Sequence, residues 1–194
     1  MLSYRDHVGP DIAPVVGDLA DLRVRVFRDW PYLYDGDAAY ERRYLADYAK
    51  GDGIVVAARA GETMVGAATG MPLADHADDF ASAFEGSGID LETVFYCAES
   101  VLLPEFRGHG AGHAFFDRRE AHAARLGFAR VAFCSVLRPP DHPARPEGYR
   151  PLDGFWRGRG YAPLAGAVAT FAWRDLGETE ESRKQLQVWM KDLS

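Results

Sequence analysis

A chain of 194 residues with 47% hydrophobic and 26% charged residues has an ordinary soluble globular composition, and its length suits one domain with a real core rather than two. The net charge of −7 and pI near 5.3 argue against nucleic-acid binding, which rests on Lys and Arg neutralising phosphates, and are compatible with a cationic small substrate. No apolar run approaches membrane-spanning length, the N-terminus lacks the charged-then-apolar order of a signal peptide, and Cys97 and Cys134 both lie in apolar runs. The expectation is a cytoplasmic protein with reduced, packed thiols and no membrane or nucleic-acid partner.

From the N-terminus, Asp18 is placed to cap a helix carrying Leu19, Leu22, Val26 and Phe27 at helical spacing. Pro31 ends it, and "RDWPYLYDGD" (28–37) reads as an aromatic loop. Asp37 opens a second helix through about Lys50, with Tyr40, Tyr44, Leu45 and Tyr48 on one side. "GIVVAARAGETMVGAATG" (53–70) is a hairpin turning at Gly61-Glu62, and 75–90 is polar and glycine-containing, a loop or short helix. "TVFYCAESVLL" (93–103) reads as one long central strand covered on both faces. A helix follows over 108–126 with Gly127 as its stop, then a buried strand, "RVAFCSV" (130–136). The proline-rich stretch 137–151 is a stiff connection, and 152–161 holds a short helix ended by Gly160. A strand at 167–173 and a partly helical tail at about 178–194 close the chain.

The feature that carries chemistry is "PEFRGHGAG" (104–112). A dinucleotide fingerprint fails here, because the third position after Gly110 is His113, and a nucleoside-triphosphate loop fails for want of a nearby lysine. What remains is a strand, a proline stop, then Arg-Gly-x-Gly-x-Gly running into a helix. That order builds a concave array of backbone N–H groups at a helix N-terminus, opened by the fixed positive charge of Arg107, and suits a pyrophosphate.

At these residues the chain resembles the GNAT superfamily of acyl-CoA-dependent N-acyltransferases. "SVLLPEFRGHGAGHAFFDRREAHAARLGF" (100–128) is similar in order, spacing and length to the family's central strand, loop and helix. The strand at 130–136 and "LDGFWRGRGY" (152–161) resemble its next two elements. The resemblance implies an α/β fold: a mixed, mostly antiparallel sheet flanked by helices and splayed at the central parallel strand pair, in a single domain over 1–194. It also implies acetyl-CoA as acyl donor and no metal. Backbone groups of Val101, Leu102 and Leu103 would pair with the pantetheine arm, with an oxyanion-stabilising N–H near Val101 or Leu102. The pyrophosphate would take Arg107, Gly108, His109, Gly110, Ala111 and Gly112.

The acceptor implied is a small-molecule amine. An alkylamine, with a pKa of roughly 10.4, needs a proton acceptor before it can attack. Glu99 is the candidate base, a lone carboxylate in "FYCAESVLL" two residues before the expected thioester contact and on the same face. The competing reading is a carboxylate paired with an arginine. Many members carry a tyrosine acid in the slot that Trp156 fills here, so Tyr149, just upstream, is the substitute catalytic candidate, or a packed tyrosine. Cys134 has no histidine placed to activate it as an acyl carrier. Trp30, Tyr32 and Tyr34 are candidate substrate-binding aromatics, suited to a cation or an apolar chain, with His142, Arg145 and Arg150 on the stiff rim. His109, His113 and Asp117 stack on one helix face, and a solvated face accounts for them better than a metal site does. A homodimer is compatible with the sequence. Two alternatives stand beside the enzyme: a CoA-binding sensor or interaction module without turnover, and a protein or peptide acetyltransferase.

Overall fold

The structure, a computed structural model, describes residues 1–193 apart from the side chains of 76–79 and 81. Its elements are β1 (Ser3–Val8), α1 (Val16–Phe27), α2 (Ala38–Leu45), β2 (Ile54–Ala60), β3 (Thr63–Pro72), α3 (Ala77–Phe84), β4 (Val94–Tyr96), β5 (Ser100–Leu102), α4 (Ala111–Arg125), β6 (Arg130–Val136), α5 (Asp153–Gly158), β7 (Ala162–Trp173) and β8 (Ser182–Asp192). The strands form one sheet in the order β1-β2-β3-β4-β6-β8-β7, with β5 paired to β3. Only β4 and β6 run parallel; the other pairings are antiparallel. No helix among the described residues is long and apolar enough to cross a membrane.

Alternation in the hairpin explains how both faces are covered. Val55, Ala57, Val65 and Ala67 pack with Leu19, Leu22 and Leu45 under α1 and α2. Ile54, Val56, Ala58 and Ala68 pack with Phe115, Phe116 and Ala123 under α4. α2 begins as its sequence requires, with the Asp37 carboxylate accepting the Tyr40 N–H at 2.8 Å. α4 stops before Gly127, whose φ is +86°.

Four expectations change. Asp18 lies inside the first turn of α1 rather than at its cap, where it still favours the helix dipole. Residues 3–8, unassigned from sequence, form an edge strand on β2. The closing tail is not partly helical: 182–192 is strand β8, because Lys184, Leu186 and Val188 alternate into the core while Arg183 and Gln185 face out. The apolar run at 93–103 is two short strands with a bend at 97–99, and that bend positions the site.

Phe115, 1% exposed between α4 and the sheet, anchors this layer. Phe115→Ala is expected to cost about 3–5 kcal/mol in urea unfolding, and a loss under about 1 kcal/mol would mean that the α4 interface is not tightly packed.

Candidate active site

The bend opens a cleft. The Cys97 N–H still reaches the Ala132 carbonyl on β6 at 2.8 Å, but the Ala98 N–H turns to Thr69 on β3 at 3.0 Å. From there the chain pairs only with β3, so β5 and β6 diverge. The Leu103 N–H bonds to the Val65 carbonyl and the Thr69 N–H to the Glu99 carbonyl. Antiparallel alternation then turns Val101 and Leu103 toward β3 and leaves the backbone N–H and C=O of Ser100 and Leu102 on the open side. Of Val101, Leu102 and Leu103, Leu102 is thus the one that offers backbone groups to the cleft, and Ser100 joins it.

Below the open edge, Gly108 and Gly110 have φ of +80° and +83°, the left-handed region that favours glycine, and Gly110 caps α4. The first N–H groups of α4 therefore converge with the positive end of the helix dipole. Gly112 serves packing: a Cβ there would lie 3.2 Å from Phe155, so its bareness lets α5 close over the loop. Arg107 is exposed, with its Nε donating to the Leu102 carbonyl at 3.3 Å. Arg107, Gly108, Gly110, Ala111 and Gly112 line one cleft of about 1110 Å³, which continues to Ser100, Glu99, Trp30 and Tyr32. His109 is exposed on the loop and does not line it.

Glu99 is buried at the far end, and an arginine does meet it. Arg23 of α1 is ion-paired to Glu99 and donates from Nε to Glu41 Oε2 at 2.6 Å. Burial works against the charge of Arg23, but Glu99 and then Glu41 outweigh it and hold the guanidinium above its ordinary value. Tyr32, Tyr44 and Tyr48 surround the pair. Burial first and Glu99 second raise all three phenols, Tyr44 to about 12, so they stay neutral. Arg23 and Glu41 are functional candidates that sequence reasoning missed. Their signal is position: Arg23 falls on the Leu19, Leu22, Val26 stripe, and Glu41 precedes Leu45 by one turn.

The aromatic loop is clamped from the opposite side of the cleft. Arg138 donates to the Pro31 carbonyl at 2.9 Å and the Tyr32 carbonyl at 2.6 Å, and makes a bidentate pair with Asp175 at 2.6 and 2.9 Å. Trp30 and Tyr32 line the cleft, whereas Tyr34 packs outside it, beside Glu41 and bridged to Asp175. Trp30 also meets His142 and Tyr149 of the proline-rich connection, with ring centroids 5.2 and 5.9 Å away. Tyr149 is half-buried, and burial pushes its phenol up. Arg145 sits over the Tyr149 ring, and Arg150 is exposed on the same rim. Trp156 packs tilted against Phe133 and edge-on to Trp189, with ring centroids 5.0 and 5.1 Å away. Burial pushes the Cys134 thiol up to about 12, far from a reactive thiolate at neutral pH. His113 and Asp117 accept hydrogen bonds from Arg159.

The family model described as "Acetyltransferase (GNAT) family" matches residues 19–146. No curated protein matches the chain. Three solved structures share its fold at low identity. A ribosomal-protein-alanine N-acetyltransferase from Brucella melitensis is 14% identical at a TM-score of 0.63, covering 98% of this chain and 99% of that one. The protein yncA from Salmonella typhimurium, solved with its cofactor acetyl-CoA, is 10% identical at 0.61, covering 100% and 94%. A GCN5-related N-acetyltransferase from Kribbella flavida is 16% identical at 0.58, covering 99% and 98%.

The Asp175 carboxylate serves both Arg138 and Lys184, and all three side chains are about nine-tenths buried. Asp175→Ala is expected to lose about 3–5 kcal/mol in chemical denaturation, because two buried cations lose their shared partner. A loss below about 1 kcal/mol would show that the aromatic loop is held by other means.

Proposed function

This chain belongs to the GNAT family of acetyltransferases, and from that premise we propose that it moves an acetyl group from acetyl-CoA to the amine of a small-molecule acceptor by direct attack in a ternary complex. The observation that carries the reading is the continuity of one cleft from the glycine cradle, along the open edge of β5, to the buried carboxylate of Glu99. Arg107, Gly108, Gly110, Ala111 and Gly112 hold the pyrophosphate, and the pantetheine arm pairs with the open-side backbone groups of Leu102 and Ser100. The Ser100 N–H, at the far end of that open edge, serves as donor to the thioester oxygen, in place of the Val101 or Leu102 N–H expected.

At the other end, one guanidinium faces two carboxylates in the Arg23, Glu41 and Glu99 group. The negative charge left over, flanked by the rings of Trp30 and Tyr32, favours a cationic amine, and Glu99 accepts its proton. Tyr149 stands on this acceptor wall beside Trp30, as a protonated phenol. Direct attack is favoured over an acyl-enzyme by the buried, neutral thiol of Cys134. A second reading, a CoA-binding module without turnover, is favoured by the ion pair on Glu99 and by the Trp156 ring in its packed cluster.

Thiol release from acetyl-CoA across a panel of primary amines decides between them: CoA binding with no release on any amine supports the module. Glu99→Gln is expected to keep CoA affinity and to lower turnover by about 10²-fold or more, and normal turnover would remove Glu99 as the base. Gly110→Asp puts a side chain at left-handed φ and a carboxylate against the phosphates, so calorimetry should detect no CoA binding. Cys134→Ala is expected to retain turnover; its loss would point to an acyl-enzyme instead.

A further inference from the structure

Arg119 of α4 is 1% exposed and heads the fully buried side chains by volume. Its donors go to neutral oxygens: Nε to the Phe115 carbonyl at 3.2 Å, Nη1 to the carbonyls of Thr69 at 3.1 Å and Glu99 at 2.9 Å, and Nη2 to Ser100 Oγ at 2.9 Å. Among the described residues it forms no ion pair with a carboxylate. A buried cation without a counter-ion is costly, and its charge is poorly screened. The one of its partners that opens onto the cleft with a proton of its own to give is the Ser100 hydroxyl. A serine hydroxyl has a single donor proton, and accepting a charge-assisted bond from Arg119 turns that proton away from the guanidinium and strengthens it as a donor.

The donor arm, leaving the glycine cradle, passes Leu102, then Ser100, and reaches Glu99 last, at about 3.3 Å per residue along the strand. The thioester therefore reacts beside Ser100. We propose that the Ser100 hydroxyl, oriented by Arg119, donates a hydrogen bond to the CoA sulfur as it departs, an inference that rests on the acetyl-transfer reading above. Ser100 is a catalytic residue on this account and Arg119 a positioning residue. The cationic amine first gives one proton to Glu99, which releases it to solvent; the neutral nitrogen then forms its bond to the acetyl carbonyl carbon and gives up its second proton to Glu99. The C–S bond then breaks with its electron pair on sulfur, which leaves as the thiolate. Ser100 keeps its proton and shares it with that thiolate, which afterwards takes a proton from water. The other titratable or charged groups lining the cleft are Glu99 and Cys97 from the bend, Tyr32 from the aromatic loop, Cys134 from β6, Arg138, Arg145, Tyr149 and Arg150 from the connection, Asp153 and Arg157 from α5, and Arg107 and His113 around the cradle. Trp156 has no acidic proton of a tyrosine's kind to offer the sulfur.

The test that needs no acceptor is titration of the CoA thiol by its thiolate ultraviolet absorbance, free and bound to the protein. The bound thiol is expected to be more acidic than free CoA. Ser100→Ala should weaken that acidity about tenfold, and Ser100→Thr should restore it. Arg119→Met should reproduce the Ser100→Ala effect, and the double variant should go no further than Arg119→Met alone. Coincident titrations of the wild-type and Ser100→Ala complexes overturn the proposal, and Ser100→Ala keeps it decidable if Arg119→Met does not fold. In turnover, Ser100→Ala should lower kcat about tenfold at unchanged KM for acetyl-CoA, and an effect confined to KM overturns it. Wild-type protein that binds CoA but releases no thiol with any amine sinks the acetyl-transfer reading, while the titration still decides the thiolate site. Absence of CoA binding overturns both.

Discussion

Arg119 bridges β3 and the bend between β4 and β5, and the cleft exists because that bend is held open. A chain that went on pairing with β6 after Cys97 would close the sheet and leave nowhere for a ligand between the strands. Instead the pairing with β6 ends at Cys97 while that with β3 continues, as the Ala98 N–H takes the Thr69 carbonyl. The Arg119 guanidinium binds both carbonyls at that crossing, Thr69 and Glu99, and so fixes the angle at which β5 departs. The result is an interior strand edge whose outward N–H and C=O groups no neighbouring strand pairs. Proteins normally cover such edges, and an extended amide-bearing arm can complete this one.

A second clamp acts on the facing wall. The aromatic loop has no regular structure to hold it, yet Trp30 and Tyr32 must keep their places on the cleft. Arg138 supplies the rigidity by binding the Pro31 and Tyr32 carbonyls while paired to Asp175. Trp173 adds its indole N–H to the Tyr32 carbonyl and to Asp175. The loop is thus fixed by β7 and by the chain just after β6, elements more than a hundred residues away in sequence.

What the sequence revealed and what it hid follow from range. Local chemistry was legible: the Asp37 cap, the hairpin, the glycines that begin α4 and the glycine that stops it all depend on neighbours a few residues away. The family resemblance added the splayed sheet. Long-range pairing was not legible. Ser3–Val8 is a polar edge strand with one buried side chain, His7, so it carries little apolar alternation. In β8 the inward Lys184 hides a period of two that Leu186 and Val188 continue. The run at 93–103 reads as one strand because Cys97 and Ala98, where the bend begins, are as apolar as the residues before them. Glu99 stood out as a lone carboxylate, but its partner Arg23 is remote in sequence and looks like one more surface arginine until its place on the apolar stripe is counted.

The two buried charge groups, taken together, polarise the space between them. On the α1 side, Arg23 answers two carboxylates and leaves a negative charge; on the α4 side, Arg119 answers none among the described residues and leaves a positive one. Both groups meet at consecutive residues, since Arg23 takes the Glu99 side chain while Arg119 takes the Glu99 carbonyl and the Ser100 hydroxyl. Strand alternation sends the Glu99 and Ser100 side chains to opposite faces, so the two signs fall on opposite sides of the same point in the cleft. On the proposed reading an amine that enters as a cation is drawn to the first side, and a thiolate that leaves as an anion is received on the second. The field then has the sense that acyl transfer needs, with charge moving from nitrogen toward sulfur, and it is set by side chains fixed before any substrate binds.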